Sequence, residues 1–246
     1  MKKQTGAVVL AELLKSLGVT HIFMVPAVLR RTMVEIEKRT NIKRLHVHSE
    51  KSAAYMADGY ARVSHKPAIC MAQIIGALNI AAGLRDAFLA HSPVIALTGG
   101  REPKTKFKKV YQEIDDMPAF EPVTKFNATI DDVNRFSDMM EQAFRVATSG
   151  SPGPVHLQFR GNEAQIDLEE IEEEVTVNEI NIQIPPHRPI CDDSVLKKAL
   201  KAIQTASRPI IVAGGGARHS GCSKELLTFA EKLSKPIATS LNGRDL

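Results

Sequence analysis

Cysteine is scarce in this chain. Cys70, Cys191 and Cys222 are odd in number, widely spaced and form no CxxC, which argues against both a disulfide framework and a zinc site and suits a reducing compartment. An excess of one charge is nearly absent too: 32 basic against 28 acidic residues leave a formal +4, with the basic side chains scattered apart from the stretch Arg101 to Lys109. That excess is too small to argue for nucleic acid. The N-terminus has two lysines and then an apolar pattern, but Glu12 and Lys15 interrupt it before a signal-peptide core is complete. No internal repeat or low-complexity tract is present. The expectation is a mature cytoplasmic start, with neither a nucleic-acid nor a membrane partner.

What is there reads as ordinary globular protein, 43% hydrophobic and 24% charged over 246 residues, enough for one large domain or one and a half ordinary ones. Residues 5–17 carry Val8, Leu10, Leu13 and Leu14 at helical spacing, with Thr5 as N-cap and Gly18 as stop. Short apolar runs at 21–25, 44–47, 67–72, 93–98 and 154–159 read as buried strands, and helix-like segments lie near 29–39, 50–63, 76–90 and 132–148. Such alternation predicts an α/β fold, a parallel sheet with helices on both faces. Glu163 to Glu174 is strongly acidic and 175–190 contains Pro185, Pro186 and Pro189, so 163–190 is expected to be a linker. A second alternating unit follows at 191–246, with a helix near 193–204, a strand at 209–214, a helix near 222–233 and a strand at 236–240. It is too short to enclose a core of its own, as expected for part of a Rossmann-like α/β domain.

Glu50, in HSEKSAAYMADGYAR, sits where a strand hands over to an alanine-rich helix. An acid there is favoured by the helix N-terminus, and a plain first-turn carboxylate would look the same. Its neighbours add to this. The succession GVTHIFMVP (18–26), SEKSAAYMADGYAR (49–62), IIGALNIAAGLRDAFLAHSPVIALTGG (74–100), YQEIDD (111–116), PVTK (122–125) and SGSPGPVHLQF (149–159) resembles the pyrimidine-binding domain of thiamine-diphosphate-dependent enzymes of the acetolactate synthase and 2-oxo-acid decarboxylase kind. The match covers nearly all of residues 3–160, and its specificity lies in order and spacing rather than in any single motif.

The resemblance implies a pyrimidine-binding domain over 1–162 and the start of a central domain after the linker. It implies that Glu50 hydrogen-bonds the cofactor's aminopyrimidine ring, so that a ring nitrogen can take the proton from thiazolium C2. A carboxyl group can share such a proton, whereas an amide would only hydrogen-bond. Gly76 and Asn79 match the end of the family's Gly-Pro-Gly-Ala-Thr-Asn stretch, where the loop nears the cofactor; a helix-start glycine and a surface amide are the plainer reading. Gln112 matches a glutamine on the substrate side of the site, and a polar loop residue is its alternative. Pro26, Ala27 and Gln73 complete the expected cofactor-binding set.

Three departures stand out: Ala27-Val28 follows Pro26 where relatives have Gly-Gly, Gln73-Ile74-Ile75 replaces Ser/Thr-Gly-Pro, and Lys51-Ser52 replaces Gln-Gly. They imply more bulk near the ring. His46 and His48 point the same way along a strand but lack a further metal ligand, so structural or surface roles are expected. GGGARHSG (214–221) follows a strand and precedes a helix without being GxGxxG; in acetolactate synthases that domain helps bind FAD, and a tight turn is the simpler reading. The family's Gly-Asp-Gly motif for diphosphate and magnesium is missing, so Mg²⁺ would be held by a domain outside this chain. The implied partners are a 2-oxo acid and further copies of the chain. A non-catalytic or split-subunit partner that keeps the fold is the competing expectation.

Overall fold

The computed structural model describes residues 3–172, 175 and 177–246, so part of the expected linker, at 173, 174 and 176, lies outside the described residues, as do the first two residues. The elements run β1 (Gln4–Thr5), α1 (Gly6–Ser16), β2 (His21–Met24), α2 (Arg30–Arg39), β3 (Lys43–His46), α3 (Glu50–Ser64), β4 (Ala68–Ala72), α4 (Ala77–Leu89), β5 (Val94–Gly99), β6 (Phe126–Ile130), α5 (Phe136–Thr148), β7 (Val155–Phe159) and β8 (Glu170–Ile171). These belong to a first compact unit reaching Pro186. His187–Leu246 form a second, with α6 (Asp193–Thr205), β9 (Ile211–Ala213), α7 (Gly215–Ser220), α8 (Ser223–Leu233) and β10 (Ile237–Thr239).

Six strands of the first unit form one sheet in the order β3-β2-β4-β5-β7-β6, every pair parallel. Side chains alternate across it, and the two faces differ in bulk. Ile22, Met24, Ile69, Met71, Ile95, Leu97, Val155 and Leu157 meet α1, α2 and α5 through large residues such as Leu10, Leu14, Ile36 and Phe144. The opposite face carries Ala68, Cys70, Ala72 and Ala96 and meets α3 and α4 through Ala53, Ala54, Ala57, Ala77, Ala81 and Ala87. Short side chains on both sides allow these two helices to lie close to the sheet.

Two parts of the first unit were not expected. β6 is a sheet edge, and only Ile130 of its five residues is buried; its polar Asn127 and Thr129 broke the apolar run that marks the other strands. Much of 163–186 packs on the first unit rather than standing free. β8 pairs antiparallel with β1, Ala164, Ile166 and Ile171 are buried, and Val175, Val177 and Ile182 lie against the core. Asp167 reaches across to α2, where Thr32 donates both its amide (3.0 Å) and its hydroxyl (2.9 Å) to Oδ2. The N-cap residue of α2, Leu29, makes no side-chain cap, so a residue far along the chain satisfies that helix end.

In the second unit β9 and β10 pair in parallel. GGGARHSG forms one and a half helical turns rather than a tight turn. No residue of α6 is buried, and Val195, Leu196, Ile210, Val212 and Leu227 are exposed.

Candidate functional site

α3 and α4 follow β3 and β4, so both helices start at the carboxyl edge of the sheet, where parallel α/β folds place their ligands. Their N-termini bring together residues 29 positions apart in sequence. Glu50 opens α3 and is half-buried. Asn79, in the first turn of α4, donates through Nδ2 to Glu50 Oε2 at 3.0 Å. Gly76 immediately precedes α4, and a Cβ there would lie 2.5 Å from Glu50 Cγ and 2.7 Å from Oε1. Only glycine leaves room for the carboxylate in this position. The same logic recurs about two turns further along: a Cβ on Gly83 would meet Ala54 Cβ at 2.7 Å and Lys51 O at 2.8 Å, so the two helices lie in close contact. Glu50 is thus held by Asn79 on one oxygen while Oε1 makes no hydrogen bond among the described residues.

The loops around this pair are tied together by the segment after β7. Asn162 O accepts from Ile74 N (2.9 Å), Glu163 O from Leu29 N (2.8 Å) and Gly161 O from Gly100 N (2.8 Å). One strand exit therefore fixes the loops after β2, β4 and β5. Pro26 is exposed and Ala27 half-buried in the first of these. Ala27 has φ +89 and Leu29 φ +47: the chain bends as a glycine would, with alanine in the left-handed region. Gln73 is half-buried, its carbonyl accepting from Gly76 N at 3.0 Å. The expected extra bulk divides in two: Ile74 is 1% exposed, directed into the chain's own core, while Ile75 is 54% exposed. Gln112 lies in the long loop after β5 with φ +65, and among the described residues no hydrogen bond joins its side chain to Glu50, Gly76 or Asn79. His46 and His48 are exposed, and no group of residues able to hold a metal occurs among those described.

Sequence reasoning missed a buried polar cluster on the α3/α4 side of β5 and β7. His156 is fully buried, stacked on Phe120 with ring centroids 3.5 Å apart. Asn127 gives its Nδ2 to Met117 O (2.8 Å), so its Oδ1 faces His156 Nδ1 (2.6 Å), which donates, and Nε2 accepts from the Thr98 hydroxyl (2.8 Å). Burial pushes the His156 pKa down to about 3, and the ring stays neutral. Beside it Gln158 Nε2 donates to Asp116 Oδ1 at 2.6 Å, while Asp116 Oδ2 is buried without a hydrogen-bond partner. Burial raises the Asp116 pKa to about 6, against the lowering effect of that hydrogen bond. A signal was available: in Val155–Phe159 a His and a Gln alternate with three apolar residues, marking one polar-lined face.

Comparison with known proteins bears on the family and the fold. Residues 4–119 match the family model "Thiamine pyrophosphate enzyme, N-terminal TPP binding domain", and residues 196–246 match "Thiamine pyrophosphate enzyme, central domain". The chain belongs to the thiamine pyrophosphate enzyme family. A probable acetolactate synthase large subunit of Methanocaldococcus jannaschii is 34% identical over 97% of this chain and 40% of its own length. An acetolactate synthase of Arthrospira platensis is 32% identical over 99% of the chain and 43% of its own. The chain thus spans about two fifths of the length of these relatives. Among solved structures, that of a putative thiamin diphosphate-dependent enzyme from Mycobacterium smegmatis superposes with a TM-score of 0.80 at 24% identity, over 97% of this chain and 45% of the other, which supports the fold. No helix among the described residues is long and apolar enough to cross a membrane.

Proposed function

We propose that this chain supplies the aminopyrimidine half of a thiamine diphosphate site in an enzyme that acts on 2-oxo acids, in the manner of an acetolactate synthase. The observation that carries the reading is the Asn79–Glu50–Gly76 contact. One carboxylate oxygen is oriented by an amide, the other is available, and a glycine leaves room for that second oxygen. When bound, the cofactor supplies the nucleophilic carbon and the electron sink that decarboxylation of a 2-oxo acid requires.

The residues of this chain then have separate tasks. Glu50 would offer Oε1, which makes no hydrogen bond among the described residues, to a ring nitrogen of the bound cofactor. Asn79 keeps the carboxylate from turning away, and Gly76 leaves the room in which it sits. Pro26, Ala27 and Gln73 line the same sheet edge, and Gln112 offers an amide to the substrate side. Mg²⁺ and the diphosphate are assigned to residues other than these 246, and FAD, if bound, to the central domain. The α3/α4 face is assigned to a second copy of the chain. Of the small and apolar residues of these two helices, Ala53, Ala54, Ala57, Ala81 and Leu84 are buried in the chain's own core, while Ala82, Tyr55, Met56 and Leu78, with Ile75 beside them, are exposed. A cytoplasmic location accords with three free cysteines.

Calorimetry on the purified chain tests the half-site. Thiamine and thiamine diphosphate should bind weakly and about equally, without response to Mg²⁺, and Glu50→Gln should weaken both. Micromolar, magnesium-dependent binding of the diphosphate alone would refute the assignment.

A further inference from the structure

At the carboxyl edge, the loop that carries Gln112 has other residues with no task in the site above. The loop after β5 is closed twice at its base. The Glu113 carboxylate accepts from the Glu102 amide (3.3 Å) and the Thr105 hydroxyl (2.7 Å), and Arg101 pairs with Asp115 at 3.2 Å. Within this closure Phe107 and Lys109 have left-handed backbones, φ +68 and +51, which non-glycine residues hold only where their surroundings impose it. The loop is therefore a shaped element, and what it displays follows from that shape.

Phe107 is 88% exposed and Tyr111 81%. Between and beside them Lys104, Lys106, Lys108 and Lys109 are all exposed, and among the described residues none of the four has an acidic partner. Residues 101–115 hold five basic and three acidic side chains, a net +2 within the chain's formal +4, and Glu113 and Asp115 are already engaged at the loop's base. Lys106 Nζ already lies 5.2 Å from the centre of the Phe107 ring, so cation and aromatic face share one spot. Lysines alone suit any anion, and a bare phosphate would leave both rings in water without cause. Rings with interleaved cations match a planar heterocycle that carries phosphate.

We propose that the 101–115 loop binds a nucleotide-type ligand, one planar base joined to two or more phosphates, with the base against Phe107 or Tyr111 and the phosphates among the lysines. A single loop with two rings spans one such ligand. A polymer would need a row of rings along a groove.

The test is calorimetry on the full chain at low salt with ADP, adenosine, inorganic diphosphate and a ten-nucleotide single-stranded DNA. ADP should saturate at least roughly tenfold tighter than adenosine and weaken as salt is raised. Phe107→Ala with Tyr111→Ala should weaken ADP by roughly tenfold or more and leave inorganic diphosphate unchanged. Lys106→Gln with Lys108→Gln and Lys109→Gln should weaken both. Glu50→Gln should leave ADP binding as it was, which separates this site from the cofactor half-site. All five substituted loop residues are exposed, and circular dichroism confirms that the variants fold. Equal binding of adenosine and ADP, indifference to the loop substitutions, loss of ADP in Glu50→Gln, or DNA binding more than tenfold tighter than ADP would each overturn the proposal.

Discussion

Replacing Asp116 by asparagine should stabilise the first unit above neutral pH and destabilise it in acid. The carboxyl group is 1% exposed, and burial raises its pKa from 3.8 to about 6. The folded state therefore binds the proton more tightly than the unfolded one. The stability this contributes is complete below about pH 4, is lost as pH rises to about 6, and stays lost above. A shift of about two units corresponds to about 3 kcal/mol between the two limits. Asparagine cannot ionise, and its Oδ1 keeps the hydrogen bond from Gln158. Its Nδ2 takes the place of Oδ2, which has no partner, at a cost of about 1 kcal/mol for one buried donor. The variant should thus be about 2 kcal/mol more stable than the parent at pH 8 and about 1 kcal/mol less stable at pH 4. Urea unfolding at pH 4, 5.5 and 8 measures this. The chain's three tyrosines, Tyr55, Tyr60 and Tyr111, all lie in the first unit and the chain has no tryptophan, so tyrosine fluorescence reports that unit alone. A difference between the two proteins that does not change with pH would refute the reasoning.

Other substitutions probe separate parts of the structure. Ala27→Gly should raise stability by about 1 kcal/mol, because φ +89 strains alanine and not glycine; a lowered urea midpoint would count against it. Gly76→Ala should leave the fold intact but displace Glu50, since its methyl would fall 2.5 Å from Cγ. Thiamine binding should then weaken by at least roughly tenfold, about 1.4 kcal/mol, as calorimetry would read. Asp167→Ala removes both acceptor contacts at the start of α2 and should cost about 2 kcal/mol in chemical denaturation. Leu78→Lys should shift any self-association seen by light scattering towards monomer without changing the unfolding midpoint, because Leu78 is exposed on α4.

How far the sequence could be read follows from how local each signal is. Strands β2, β4, β5 and β7 are short apolar runs, and α1, α3 and α4 have helical spacing, so their existence was legible within a few residues. Glu50 with Gly76 and Asn79 was legible through the order of family motifs, but their contact was not, because it joins the starts of two helices. β6 was hidden by Asn127 and Thr129, which face His156 on β7 and Met117 in the loop before β6 rather than an apolar core. The Thr98–His156 and Gln158–Asp116 pairs span 58 and 42 residues, and nothing near either partner announces the other. The acidic, proline-bearing stretch after 163 looked like a connector because its few apolar residues, Ile166, Ile171 and Ile182, are diluted among charges.

The shortness of the side chains under α3 and α4 has a mechanical consequence. An alanine has no side-chain torsion that moves a heavy atom, so this layer, where ten of the sixteen buried residues are alanine, has fewer rotamers to switch than the leucine- and phenylalanine-filled layer on the other face. A push on α3 is therefore passed to the strands as a nearly rigid translation. Glu50, at the tip of that helix, is mounted on the stiffer side of the first unit, while rotamer changes are concentrated on the softer side, away from its carboxylate.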